Sequence, residues 1–296
     1  MKQGTRRGLV AVGVLALAGY AAPMVYLKIN ERSLVFHPEA VGGRTVVPMP
    51  DSLHLIAERV RLTTADSVRI AALVIPAADT AAQWLLYFHG NGGNVTSSDR
   101  PLFYARWHAL GLNVLAVDYR GYGESDDRPP SEAGTYADAR AAYEWLRTVR
   151  NVPADRIIIY GHSLGTGVAT ELALHVQAAG LILEGAFTSV PDIGQRMYPY
   201  FPIRLLSTQR FANLEKIGHV AMPKLIMHAS DDEEIPYAHG QLLFAAAVAP
   251  KDWVELRGGH MRAFLDDSAH FWARTRAFVE RLRGELPFAE SARPVP

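Results

Sequence analysis

Arg156-Ile157-Ile158-Ile159-Tyr160-Gly161-His162-Ser163-Leu164-Gly165-Thr166-Gly167-Val168-Ala169 decides the reading of this chain. An apolar, β-branched run ends in G-x-S-x-G, and small residues that tolerate a helix follow. The pattern predicts a strand, a sharp turn and a helix, with Ser163 at the corner. Such a turn lifts a hydroxyl out of the sheet. The first backbone N–H groups of the helix then point at the space where a substrate oxyanion would form. Gly161 and Gly165 suit the turn because a Cβ at either position would collide across it.

Outward from this stretch, short apolar runs alternate with helical patterns. The runs are Trp84 to Phe88, Asn113 to Val117, Arg156 to Tyr160, Leu181 to Leu183, Lys224 to Met227 and Trp253 to Leu256. Helical patterns lie near 98–110, 132–149, 164–176, 238–248 and 267–283. Upstream, Glu58 to Leu62 and Val68 to Ile75 flank Thr64-Ala65-Asp66-Ser67 and read as an antiparallel hairpin. The alternation predicts an α/β fold with a mostly parallel central sheet and helices on both faces. Residues 187–222 interrupt it and are expected to form a short cap over the site. Tyr198, Tyr200 and Phe201 of that cap are read as packing residues.

Sheets of this kind bind ligands beyond the carboxyl ends of their strands, and the chemistry-bearing residues fall there. A serine hydroxyl is a poor nucleophile unless a base takes its proton and a third group orients the base. His260, in the Gly258-Gly259 loop after the last run, is the expected base. His162 is expected to point away from the corner, and His89 to hold the glycine loop. Asp232, four residues before Pro236, is the preferred acid, with Glu184 as its rival. Asp231, Glu233 and Glu234 read as solvated loop charges. The loop His89-Gly90-Asn91-Gly92-Gly93-Asn94 lacks the Lys and Ser/Thr of a phosphate loop. It is expected to supply an oxyanion-binding N–H from Asn91, beside that of Leu164.

The 296 residues suit one large domain over 33–285, after an N-terminal segment 1–32 and before a flexible tail 286–296. With 30 basic and 30 acidic residues and no basic run, nucleic acid is excluded as a partner. The absence of cysteine excludes disulfides, thiolate metal sites and a cysteine nucleophile. No H-E-x-x-H pattern is present, and neither a metal nor a cofactor is expected. Gly8 to Leu27 carries no charge and is long enough to span about 30 Å of hydrocarbon. Lys2, Arg6 and Arg7 outweigh the net charge of the flank Lys28, Glu31 and Arg32. This bias predicts a single-pass anchor with the bulk of the chain extracytoplasmic, in the periplasm if the source is bacterial. A signal peptide cut near Ala18 to Ala22, giving a secreted protein, is the alternative.

Taken in order, LVFHP at 34–38, YFHGNGGN at 87–94, VDYRGYGES at 117–125, IIIYGHSLGTGVA at 157–169, EGAFTS at 184–189, SDDEEIP at 230–236 and GGHM at 258–261 resemble the α/β-hydrolase superfamily. The likeness is nearer to membrane-anchored serine hydrolases similar to α/β-hydrolase domain-containing proteins 13 and 17. It implies an α/β-hydrolase fold with Ser163 as nucleophile, Asp232 as acid and His260 as base. Glu234 departs from the pattern, standing where the family usually has an apolar residue. The protein-17 group implies palmitoyl-thioester cleavage, but that group works at the cytoplasmic face through a Cys-rich N-terminus, which this cysteine-free chain does not share, so that substrate is not carried over. The expected activity is hydrolysis of carboxylic esters or thioesters of a small-molecule or lipid-like acyl substrate. A serine aminopeptidase and a non-catalytic, membrane-tethered binding protein are the alternatives.

Overall fold

The computed structural model describes residues 3–79 and 81–288. Most of the expected tail, residues 289–296, and Lys2 of the expected charged flank lie outside the described residues.

Eight strands form one sheet: β1 (Glu58–Thr63), β2 (Arg69–Ile75), β3 (Trp84–Phe88), β4 (Asn113–Val117), β5 (Ile157–His162), β6 (Gly180–Glu184), β7 (Lys224–Ala229) and β8 (Lys251–Leu256). Their spatial order is β1-β2-β4-β3-β5-β6-β7-β8. β1 and β2 pair antiparallel, β2 meets β4 antiparallel, and every later pairing is parallel. The swap that seats β3 between β4 and β5 brings the glycine loop after β3 beside the serine turn after β5.

The helices are α1 (Gln3–Ile29), α2 (Glu31–Val35), α3 (Arg100–Ala109), α4 (Glu132–Thr148), α5 (Leu164–His175), α6 (Val190–Met197), α7 (Ile203–Leu206), α8 (Asn213–Ile217), α9 (Tyr237–Ala246), α10 (Gly259–Asp266) and α11 (Ser268–Leu282). Both faces of the sheet are covered. In β2 the side chains alternate, Ile70, Ala72 and Val74 joining one apolar cluster and Leu73 and Ile75 the other. The first cluster takes in Leu146 of α4, Val168 of α5 and Leu243 of α9. The second takes in Trp107 of α3, Phe264 of α10 and Phe278 of α11. Each such side chain contributes roughly 1.5–3 kcal/mol by leaving water, so the two layers clamp the sheet from both sides.

Between β6 and β7 the chain leaves the sheet as α6, α7 and α8, which form the cap. Ser189 caps α6 by accepting the Asp192 N–H at 3.2 Å. α1 is one continuous helix carrying Pro23, and it includes a 20-residue window, Val10–Ile29, long and apolar enough to cross a membrane. Among the described residues it is the one helix that meets this condition. His260 is not in a loop but is the second residue of α10, which starts directly on Gly258 and Gly259. Gly258 is the N-cap and Gly259 the first residue of the helix, and both hold positive φ, 105° and 68°, which residues with a Cβ rarely adopt.

Candidate active site

β5 ends at His162, and Ser163 turns the chain into α5 with φ 52° and ψ −122°, a backbone state costly for a residue with a Cβ. The surroundings hold it there. The Ser163 N–H donates to Glu184 O at 3.0 Å. A Cβ on Gly161 would sit 2.4 Å from Gly165 O, and one on Gly165 would sit 2.1 Å from Phe88 O. Both are far inside contact distance, so only glycine permits the close approach of strand and helix.

The structure brings Ser163, His260 and Asp232 into one line. His260 Nε2 lies 2.8 Å from Ser163 Oγ, and His260 Nδ1 lies 2.7 Å from Asp232 Oδ2. Asp232 Oδ1 accepts the N–H groups of Glu234 at 2.9 Å and Ile235 at 2.7 Å. Burial works to raise the Asp232 carboxyl. Contacts from His228 and His260 and the Ile235 N–H outweigh it and hold the group well below the usual carboxylate range. Burial pulls His260 down, but the Asp232 hydrogen bond and charge, helped by Glu234 and Glu184, leave it above its ordinary value. The rival acid, Glu184, is turned to Tyr160, whose hydroxyl donates to its carboxylate. Burial pushes Glu184 up to about 7.

Asn91 and Leu164 both line the cavity beside Ser163. In a trans peptide the C=O and the following N–H point in opposite directions, so anchoring the oxygen aims the hydrogen. Gly90 O lies 2.6 Å from His89 Nδ1, which fixes the peptide bearing the Asn91 N–H. Ser163 O accepts from Thr166 N at 2.9 Å and from Thr166 Oγ1 at 2.6 Å, which fixes the peptide bearing the Leu164 N–H. Leu164 opens α5, so its N–H has no partner within the helix.

Several residues that shape the site went unread in the sequence. Arg100, at the start of α3, donates to Gly92 O at 2.8 Å and also to Asn94 O, bracing the glycine loop from beneath. Tyr122 Oη donates to Asn91 O and Tyr119 Oη to His89 O, both at 2.9 Å. His162, expected to point away from Ser163, reaches the backbone of His260, its Nε2 3.1 Å from His260 O. Burial and the neighbouring His260 press His162 down to about 3, so it is neutral and donates. Nor are the three spare acidic residues idle. Asp231 accepts from the Gly258 and Gly259 N–H groups at 3.1 and 3.2 Å, and Glu233 accepts from the His260 N–H at 3.2 Å. Glu234 brings Oε2 to 3.8 Å from His260 Nε2.

The cavity above Ser163 has a volume of about 480 Å³. Its apolar wall includes Phe187, Val190, Ile193 and Met197, and Leu27, Leu34 and Val35 join it from the N-terminal helices. Tyr198 also lines it, so this residue faces the cavity and is not packing alone.

The alpha/beta hydrolase fold family matches residues 83–222. The Mycobacterium tuberculosis protein Rv2307c, itself uncharacterised, is 35% identical over 86% of this chain and 88% of its own length. The Schizosaccharomyces pombe protein bem46 is 32% identical over 81% and 82%. A lysophosphatidylserine lipase of Danio rerio is 34% identical over 62% of this chain and 51% of its own. Among solved structures, the Pyrococcus furiosus esterase Pf2001 superposes with a TM-score of 0.68 at 20% identity, covering 83% of this chain and 98% of that one. At that identity the match speaks for the fold. Fold and relatives together support a hydrolase.

Proposed function

The chain belongs to the α/β-hydrolase superfamily, and from that premise we propose that it is a serine hydrolase cleaving carboxylic esters or thioesters through an acyl-enzyme. The observation that carries the reading is the hydrogen-bonded line Ser163–His260–Asp232 on a strained turn, at 2.8 and 2.7 Å.

In the first half-reaction Ser163 Oγ attacks the acyl carbon while His260 Nε2 takes the hydroxyl proton. The oxyanion that forms is met by the N–H groups of Asn91 and Leu164, a contribution worth about 3–4 kcal/mol per donor in such sites. Collapse expels the alcohol or thiol, which receives the proton from His260. Water then attacks the acyl-enzyme, again losing a proton to His260, and the carboxylic acid leaves with Ser163 restored. Asp232 holds Nδ1–H and stabilises the imidazolium without itself taking the proton. The apolar cavity wall suits the acyl part of the substrate.

A second reading, a peptidase acting at free amino termini, draws on one observation. Glu234 places a carboxylate at the cavity, where an ammonium group would be welcome. Hydrolysis of p-nitrophenyl esters against aminoacyl anilides separates the two. Fluorophosphonate labelling of Ser163 tests both against a non-catalytic binding protein, which would not react.

We read α1 as a membrane anchor with the catalytic domain extracytoplasmic. The span Val10–Ile29 supports the anchor, and the basic residues Arg6 and Arg7 before it support the orientation. The protein should resist alkaline carbonate washing, and its domain should be open to protease in intact spheroplasts. A soluble product with a mature N-terminus near Ala22 would favour secretion instead.

A further inference from the structure

The anchor and the cap are joined. At the lower end, Glu31 accepts from Ser207 Oγ at 2.6 Å, Thr208 Oγ1 at 2.6 Å and Gln209 N at 2.8 Å, as well as from Thr208 N. Lys28 Nζ donates to Leu206 O at 2.7 Å. At the upper end, Tyr20 Oη donates to Tyr200 O at 2.8 Å, and the Tyr20 ring stacks on Phe201 with centroids 5.4 Å apart. Contacts at two levels fix the angle between helix and domain, which one hinge would leave free.

These contacts set a depth. Tyr20 lies about 10 Å along α1 from Leu27, towards the middle of the apolar span. The cap tip therefore stands beside a part of α1 that a bilayer would surround. Two of its outward residues match such surroundings, Tyr200 being 84% and Leu205 86% exposed, while the charge of Arg204 is paired with Asp192 at 2.9 Å. In water, bulky apolar side chains held so far out have nothing to cover them. Along the seam runs a shallow groove of about 280 Å³, lined by Ala21, Met24, Val25, Lys28, Ile29 and Leu206. Lys28 and Leu206 also line the cavity over Ser163, so groove and cavity share a wall.

We propose that the cap tip, Tyr198 to Leu206, is embedded with α1 in the outer part of a lipid bilayer, and that single-chain acyl esters reach Ser163 sideways from the leaflet between anchor and cap. The route of entry rests on the anchor and ester-hydrolase readings above, whereas the embedding rests on the anchor alone. Lys28 stands where groove and cavity meet, at the level of a carbonyl or headgroup, with the apolar groove on the chain side.

The absence of cysteine makes a direct test available. Leu205→Cys, Leu15→Cys and Asp127→Cys are each labelled with an environment-sensitive fluorophore in the full-length chain. They are reconstituted into phosphatidylcholine–phosphatidylglycerol vesicles containing nitroxide lipids. The label at 205 is expected to shift to the blue and to be quenched more by a shallow nitroxide than by a deep one. The label at 15 is expected to be quenched most by the deep nitroxide, and the one at 127, on an exposed carboxylate, to be unquenched. A water-like label at 205 beside a quenched one at 15 overturns the proposal and leaves the anchor standing. A blue-shifted but unquenched label at 205 also overturns it, because protein rather than lipid then covers the tip. Loss of quenching at 15 overturns the anchor itself. A second arm uses Tyr200→Ser with Leu205→Ser, neither of which lines the cavity. Hydrolysis of soluble p-nitrophenyl butyrate should stay within about twofold, while that of monooleoylglycerol in vesicles falls roughly tenfold, a difference of about 1.4 kcal/mol. An equal fold-change on both substrates would overturn the entry route.

Discussion

The floor of the cavity and its roof are built on different principles. The floor consists of strand ends and tight turns in which every peptide that matters has its oxygen anchored. Gly90 O is held by His89, Asn91 O by Tyr122 and the His37 N–H, and Ser163 O by Thr166. The roof consists of short helices and the end of α1, tied down by a carboxylate and a stacked tyrosine, with apolar side chains turned outward. The contrast teaches where each requirement acts. Positioning a nucleophile to a fraction of an ångström takes an over-determined backbone. Admitting a substrate takes a surface fitted to the medium it comes from.

If floor and roof are separable, changes in the floor alter chemistry and leave access alone. Ser163→Ala should lower kcat for ester hydrolysis by on the order of 10⁴-fold or more. The melting temperature should move by only about 2 °C, since one hydroxyl is lost and no cavity is opened. Substantial residual activity on p-nitrophenyl esters would remove Ser163 from its role. Asp232→Asn comes next, with kcat down roughly 10³–10⁴-fold because the amide favours the wrong imidazole tautomer. The companion Glu184→Gln should cost far less. A greater loss at 184 than at 232 would exchange the two carboxylates.

The roof answers to smaller, different measurements. Glu31→Ala should leave the rate on soluble short esters intact but quicken proteolytic nicking between 198 and 208 by roughly fivefold, as the loss of about 1 kcal/mol implies. The same joint should loosen in acid. The Glu31 carboxyl is lowered from its ordinary 4.5 to about 2, burial being outweighed by the Ser207, Thr208 and Gln209 donors. A depressed carboxyl stabilises above its unfolded value and loses that stabilisation as pH falls through its folded one. Nicking of the wild type should therefore rise between these two values, and nicking of Glu31→Ala should not follow.

Glu234 sits where floor meets roof and gives the finest test. Its charge helps to hold His260 above its ordinary value. In the proposed role of base His260 must be deprotonated, so kcat/KM should fall as pH drops through that raised value. Glu234→Gln should move this acid limb to lower pH, and only modestly, because the carboxylate is half exposed and screened by water. An unchanged profile would leave Glu234 to substrate binding alone.

The difference between the two regions also governs what the sequence discloses. Trp84–Phe88 and Asn113–Val117 match β3 and β4 end to end, because a buried parallel strand is apolar throughout and polar at its stops. The serine turn is legible because its glycines answer a local clash. α10 is not, since Gly258-Gly259 carries a breaker signature although here it starts a helix. The cap helices are short and owe their shape to distant contacts. Ser189 with Asp192 is a capping signal that the sequence does contain. Nothing local, however, foretells that Glu31 will meet residues 207–209, or that Arg100 will brace the glycine loop. Asp231 and Glu233 are exposed, as read, but the N–H groups they also accept from, those of residues 258–260, are supplied by another strand end and leave no local signal.

The Glu31 joint has a consequence for how encounters are counted. An enzyme on a loose tether tumbles, and its rate follows the concentration of substrate in the surrounding volume. With the angle between α1 and the domain held at two levels, an anchored molecule keeps only rotation about the membrane normal and drift within the plane. Its search is then two-dimensional. If the substrate enters from the leaflet as proposed, the variable that sets its speed is its mole fraction there, so diluting the vesicles in buffer should change nothing, while diluting the substrate with inert lipid should slow turnover in proportion.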